Sequence, residues 1–192
     1  LFRLVAVAGV ALIMVFVPLL ARRLGVNGAW AQWISVANPL FTISFVASGH
    51  NDALMVGLAL AGTWCALRAG HPLRPQRPGQ SVAWGVAGVV LVTLSLGIKP
   101  ITLVLLPFIG LLWAGPTARW PRRFAFWALT AGISFGLMAL VGVLNGFGFG
   151  WVAVMVGTGT GTVPWGPIGM LSLITVGASE LLGQGADVQA CL

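Results

Sequence analysis

Residues 47–68, ASGHNDALMVGLALAGTWCALR, decide the fold. His50, Asn51 and Asp52 stand together, and the apolar run that follows meets no further charge until Arg68. A run of that kind reads as a helix over 53–68 with polar residues at one end and a cation at the other. Working outward, the same pattern recurs. Apolar runs separated by short Arg-, Gly- and Pro-containing segments predict helices over 2–20, 39–48, 82–97, 101–114, 123–144 and 168–182. Trp30 and Trp33 mark 29–36 as an interfacial stretch. Asn38-Pro39 reads as a cap followed by proline at the first helical position, which starts a helix.

The composition agrees with this reading. The chain has 192 residues, 58% hydrophobic and 7% charged, with a mean hydropathy of +1.00, which excludes an ordinary soluble domain. Helical runs, not alternating strands, carry the hydrophobicity, so the expected class is all-α, a polytopic membrane protein of about six to seven membrane helices, some of them short or re-entrant. Residues 1–192 read as one membrane-embedded domain and as part of a longer chain. The first apolar run ends in Arg22-Arg23 and lacks a cleavage motif, so it reads as a retained helix and not as a signal peptide.

A net charge of +7 raises the question of nucleic acid. The basic residues instead form three short clusters between apolar runs: Arg22 and Arg23; Arg68, Arg74 and Arg77; Arg119, Arg122 and Arg123. No nucleic-acid partner is expected. The positive-inside rule assigns these three loops to the cytoplasm. The turns at Gly49–Asp52, at Lys99-Pro100 and over 145–167 then face outward, and that side of the membrane is where a site is expected. The helices reaching the first two turns read as short, which suggests a recessed polar cavity. Cys65 and Cys191 have neither metal nor disulfide spacing and read as buried thiols. No metal and no cofactor is expected.

Asp52 fits two roles. It serves as a helix cap, as Asn51 does equally well, or as a charge retained near the membrane for chemistry. His50 beside it is a packed histidine, a proton carrier or a contact to an anionic ligand. Lys99, the one lysine, is either a snorkelling cation or a point charge suited to phosphate. The stretches NGFGFGW (145–151) and GTGTGTVPWGP (157–167) read as an aromatic belt and an external loop, the second without P-loop spacing. Glu180 and Asp187 are too isolated to assign.

NPLFTISFVASGHNDALMVGLALAG (38–62), followed by GIKPITLVLLPFIGLLW (97–113), resembles the polyprenol-phosphate-mannose-dependent alpha-(1→6)-mannosyltransferases of actinobacterial cell envelopes, GT-C class glycosyltransferases. The resemblance implies mannose transfer at the outer face from a polyprenyl-phosphate-sugar donor to a mannan glycolipid acceptor, in lipomannan or lipoarabinomannan assembly. Membrane lipid is the other partner it implies. It further implies inversion at the anomeric carbon, with a carboxylate as base and lipid phosphate as leaving group. On that reading Asp52 is the candidate catalytic residue, and His50, Asn51 and Lys99 are donor-phosphate contacts. Members of the class carry the catalytic acid in a long first external loop, and no long loop precedes Gly49, so the base is also to be sought upstream of Leu1. The rival readings are a transporter or flippase for a lipid-linked or small substrate, and a non-catalytic truncated membrane fragment.

Overall fold

In hydrocarbon every backbone N–H and C=O must find its partner within the segment, so long uncharged runs settle as helices. The computed structural model describes residues 2–41, 45, 51–70 and 79–157. Among them there are helices and turns and no strand. The chain divides into two units, Leu1–Asn145 and Gly146–Leu192. The first contains α1 (Phe2–Arg23), α2 (Gly28–Val36), α3 (Pro39–Phe41), α4 (Asp52–Ala69), α5 (Gln80–Ile98), a 3₁₀ turn (Pro100–Val104), α6 (Leu105–Ala114) and α7 (Trp120–Leu144). Of the second, the described part is the turn after Gly146 and α8 (Gly150–Gly157).

Among the described residues four helices, α1, α4, α5 and α7, are long and apolar enough to cross a membrane. The chain is an all-helical membrane protein. The helix expected over 168–182 and most of that over 39–48 lie outside the described residues.

α4 is the hub, packing against α1, α5 and α6. Its buried face is built of small residues: Ala53, Gly57, Ala61, Gly62 and Ala66 are among them. Small residues let backbones approach where lipid tails remove the hydrophobic drive between helices. The approach is close enough to exclude side chains. A Cβ on Gly62 would lie 2.8 Å from the Gly88 carbonyl oxygen of α5, and one on Gly9 of α1 would lie 2.2 Å from the Leu54 nitrogen. Further along, the Thr93 hydroxyl donates to the Val89 carbonyl at 2.8 Å and sits 3.0 Å from the Ser134 hydroxyl, a buried polar link from α5 to α7.

Gly9 meets Ala53 and Leu54, while Arg23 Nη1 donates to the Leu67 carbonyl at 3.2 Å, so α1 and α4 run parallel. The intervening chain must cross back. α2 begins that return, which revises the interfacial reading of 29–36. Asn27 caps it, its side-chain oxygen accepting from the Ala29 and Trp30 amides at 2.9 and 3.2 Å. The helix then lies along α1 from the level of Pro18 and Arg22, where Gly28 packs, to the level of Met14 beside Trp33 and Ala37. Trp30 and Trp33 stack on each other 5.5 Å apart on its exposed face.

Two boundaries differ from the sequence expectation for reasons of proline chemistry. Pro100 lacks an N–H, so α5 stops at Ile98 and a 3₁₀ turn precedes α6. Pro121 sits in the first turn of α7, where its missing N–H has no partner to lose, so that helix begins at Trp120 and not at 123.

Candidate functional site

α4 and α5 are antiparallel neighbours, so the start of one lies beside the end of the other. Asp52 is the first residue of α4, and Lys99 follows the last residue of α5. The two side chains form an ion pair, Lys99 Nζ to Asp52 Oδ1. It is set between two helix ends of matching polarity. An anion is favoured at a helix N-terminus and a cation at a C-terminus, each by about 0.3–1 kcal/mol.

Backbone geometry aims the lysine. A residue before proline is driven out of the helical region, and Lys99 is extended at φ −145°, ψ 131°. Its amide still closes on the Ser95 carbonyl at 3.2 Å, and its own carbonyl accepts from the Thr102 hydroxyl at 3.2 Å. One turn inward Ser95, fully buried, donates its hydroxyl to the Met55 carbonyl at 2.8 Å and clamps α5 to α4 beneath the pair. Asp52 Oδ1 is shielded from solvent, and the Lys99 ammonium is the group that answers it. The Lys99 side chain remains 47% exposed, so a second anion has access to it.

The capping role is corrected. Asn51 holds the N-cap position but makes no side-chain cap bond, and Asp52 lies inside the helix with its carboxylate turned to Lys99. Asn51 is exposed beside the pair, and its carbonyl accepts from the Met55 amide at 3.1 Å. His50 lies outside the described residues. Two further groups at this end escaped the sequence reading of the site: Ser95, whose signal is a hydroxyl four residues before Lys99 in an apolar run, and Arg3, an exposed cation at the same end because α1 runs parallel to α4. Among the described residues no three His, Cys, Asp or Glu side chains converge as metal ligands would.

The expected recess takes a different form. At about 1.5 Å per residue α4 and α5 extend roughly 27 and 28 Å, close to the ~30 Å hydrocarbon thickness, so the pair sits near the end of the span. Cavities occur elsewhere: about 400 Å³ beside Arg23 and Arg123, about 470 Å³ around Pro107 and Thr130, and about 390 Å³ beside Met14 and Trp33. Cys65 is buried, as expected.

Comparison with known proteins decides the family. Residues 1–115, which contain the whole Asp52–Lys99 arrangement, match the family described as alpha-(1→6)-mannopyranosyltransferase, N-terminal domain. The chain belongs to the alpha-(1→6)-mannopyranosyltransferase family. It is 36% identical to a probable alpha-(1→6)-mannopyranosyltransferase of Mycolicibacterium smegmatis, over 99% of this chain and 37% of that protein. It is 34% identical to an alpha-(1→6)-mannopyranosyltransferase of Mycobacterium tuberculosis, over 99% of this chain and 39% of that protein. Alpha-(1→6)-mannopyranosyltransferase A of the same organism is 31% identical over 79% of this chain. The chain therefore spans less than two-fifths of the length of these mannosyltransferases. No solved structure matches it.

Proposed function

We propose that the chain supplies the donor-phosphate end of a hexosyltransferase. The enzyme moves mannose from a polyprenyl-phosphate donor to an alpha-(1→6)-mannan acceptor on the outer face of the plasma membrane, in lipomannan or lipoarabinomannan assembly. The observation that carries this is the Asp52–Lys99 pair: a half-exposed lysine side chain held in place by a carboxylate at one end of a membrane helix bundle, in a chain of this family. A lipid-linked phosphate lies at the membrane surface, where such an end meets it.

The acceptor 6-hydroxyl oxygen attacks the anomeric carbon of mannose, the bond from that carbon to the phosphate oxygen breaks, and the phosphate departs on its lipid. Negative charge grows on the leaving phosphate. Lys99 offsets it as a point charge, with Asn51 and His50 contributing hydrogen bonds. The proton leaving the hydroxyl needs a carboxylate. Asp52 is the candidate within this chain, and in addition its hold on Lys99 fixes where the ammonium points.

The test uses membranes containing the full-length protein, labelled polyprenyl-phosphate-mannose and a short alpha-(1→6)-mannoside. Asp52→Asn and Lys99→Gln are each expected to lower transfer on the order of a hundredfold at equal protein level. Wild-type turnover in both would remove the pair from the reaction.

A further inference from the structure

The opposite end of the bundle holds a second site of different chemistry. There α1 ends in Arg22 and Arg23, α4 carries Arg68 in its last turn and is followed by Gly70, and α6 is followed by Gly115, while α7 begins beside Arg119, Arg122 and Arg123. A cavity of about 400 Å³ opens between them. Arg23 and Arg123 lie on its wall, and apolar side chains including Leu67 and Leu111 line the rest.

Both guanidinium groups are anchored. Arg23 Nη1 donates to the Leu67 carbonyl at 3.2 Å, and Arg123 Nη2 donates to the Pro116 carbonyl at 3.2 Å while its guanidinium carbon lies over the Trp120 ring, 5.2 Å from its centre. A guanidinium has five N–H donors, so one carbonyl leaves Arg123 able to grip an oxyanion. Two glycines let the ends of α4 and α6 close on each other along one wall of the cavity. A Cβ on Gly70 would strike the Leu112 carbonyl oxygen at 1.9 Å, and Gly115 has φ +92°, a conformation side chains avoid. Among the described residues Asp52 is the one acidic side chain, and it stands at the far end of α4 against Lys99, so the potential here is positive.

Two arginines from different helices beside an apolar lining, at the membrane-surface end of a bundle, match an amphiphile that carries a phosphate. We propose that this pocket binds the phosphodiester headgroup of an anionic membrane lipid, the phosphate between Arg23 and Arg123 and the glycerol backbone against the leucines. Basic pockets between membrane helices recognise such headgroups in general. The site is independent of the mannosyl-transfer reading, because it lies a full helix length from Asp52 and Lys99.

The experiment is native mass spectrometry of the detergent-purified full-length protein, titrated with phosphatidylglycerol, with phosphatidylcholine, and with inorganic phosphate as competitor. The wild type is expected to retain phosphatidylglycerol with roughly tenfold preference over phosphatidylcholine. That preference should vanish in the double variant Arg23→Gln/Arg123→Gln, and also in Leu111→Trp, which fills the cavity without changing charge. It should survive in Arg119→Gln/Arg122→Gln, whose arginines do not line the cavity. Equal binding of the two lipids, retention by both pocket variants, or equal loss in the Arg119/Arg122 variant would overturn the proposal. Displacement of the lipid by millimolar phosphate would mean that the pocket takes free phosphate.

Discussion

At the scale of single residues, the ion pair makes different demands on its two members. Asp52 Oδ1 is shielded from solvent and answered by Lys99, whereas Lys99 itself is nearly half exposed. Removing the lysine leaves a shielded carboxylate oxygen unsatisfied. Lys99→Met is therefore expected to lower stability by about 1–3 kcal/mol, read as a fall in the unfolding midpoint of the full-length protein in detergent. Thr130 is the converse case. It is fully buried at the edge of the Pro107 cavity, and its hydroxyl has no hydrogen-bond partner among the described residues. Thr130→Val keeps the shape and removes the orphaned group, so the same measurement should show an unchanged or raised midpoint. The composition of the site was legible in the sequence, since Asp52 and Lys99 stand out in a chain with three acidic residues. Their pairing was not, because periodicity within a helix says nothing about which neighbour's end lies beside it. Asn51 misled for a local reason: its side chain suits a cap, yet no side-chain bond to the helix forms.

Elements were legible where one run carries one signal. The central helices expected over 53–68 and 82–97 correspond to α4 and α5, within a residue or two at each end. α2 was not, because nine residues with two tryptophans look the same whether they lie on a membrane surface or begin a crossing. What settles it is the parallel packing of α1 and α4, a tertiary fact. The packing of α4 against both α1 and α5 rests on glycine, Gly9 and Gly57 on the α1 side and Gly62 and Gly88 on the α5 side. Gly62→Leu would drive a side chain into the Gly88 carbonyl and the Val92 side chain, and overpacking of this kind costs about 1–3 kcal/mol. A lowered unfolding midpoint and loss of the monodisperse peak in size-exclusion chromatography are expected. Gly97, whose added Cβ meets nothing within 4 Å, provides the control, and Gly97→Ala should behave as wild type.

At the scale of the whole molecule, the two ends of the bundle differ in charge. One gathers Arg22, Arg23, Arg68, Arg119, Arg122 and Arg123; the other carries Arg3 and the Asp52–Lys99 pair. The positive-inside rule turns this asymmetry into an orientation. In intact cells, a cysteine at Asn51 should react with a membrane-impermeant maleimide while one at Arg119 is protected until lysis. The reverse pattern would invert the topology and take the site away from the outer face. The central claim, that the Asp52–Lys99 pair works in mannosyl transfer and is not a structural clasp alone, is tested most directly by exchanging its members. Asp52→Lys/Lys99→Asp restores an ion pair between the same helix ends, with a penalty of about 0.3–1 kcal/mol for each charge now opposed to its helix dipole. The measurement is transfer from polyprenyl-phosphate-mannose by this double variant in full-length protein, alongside each single variant. The account predicts a double variant that accumulates better than either single one yet transfers no mannose; recovery of wild-type transfer on exchange would show that the pair serves only to hold α4 to α5.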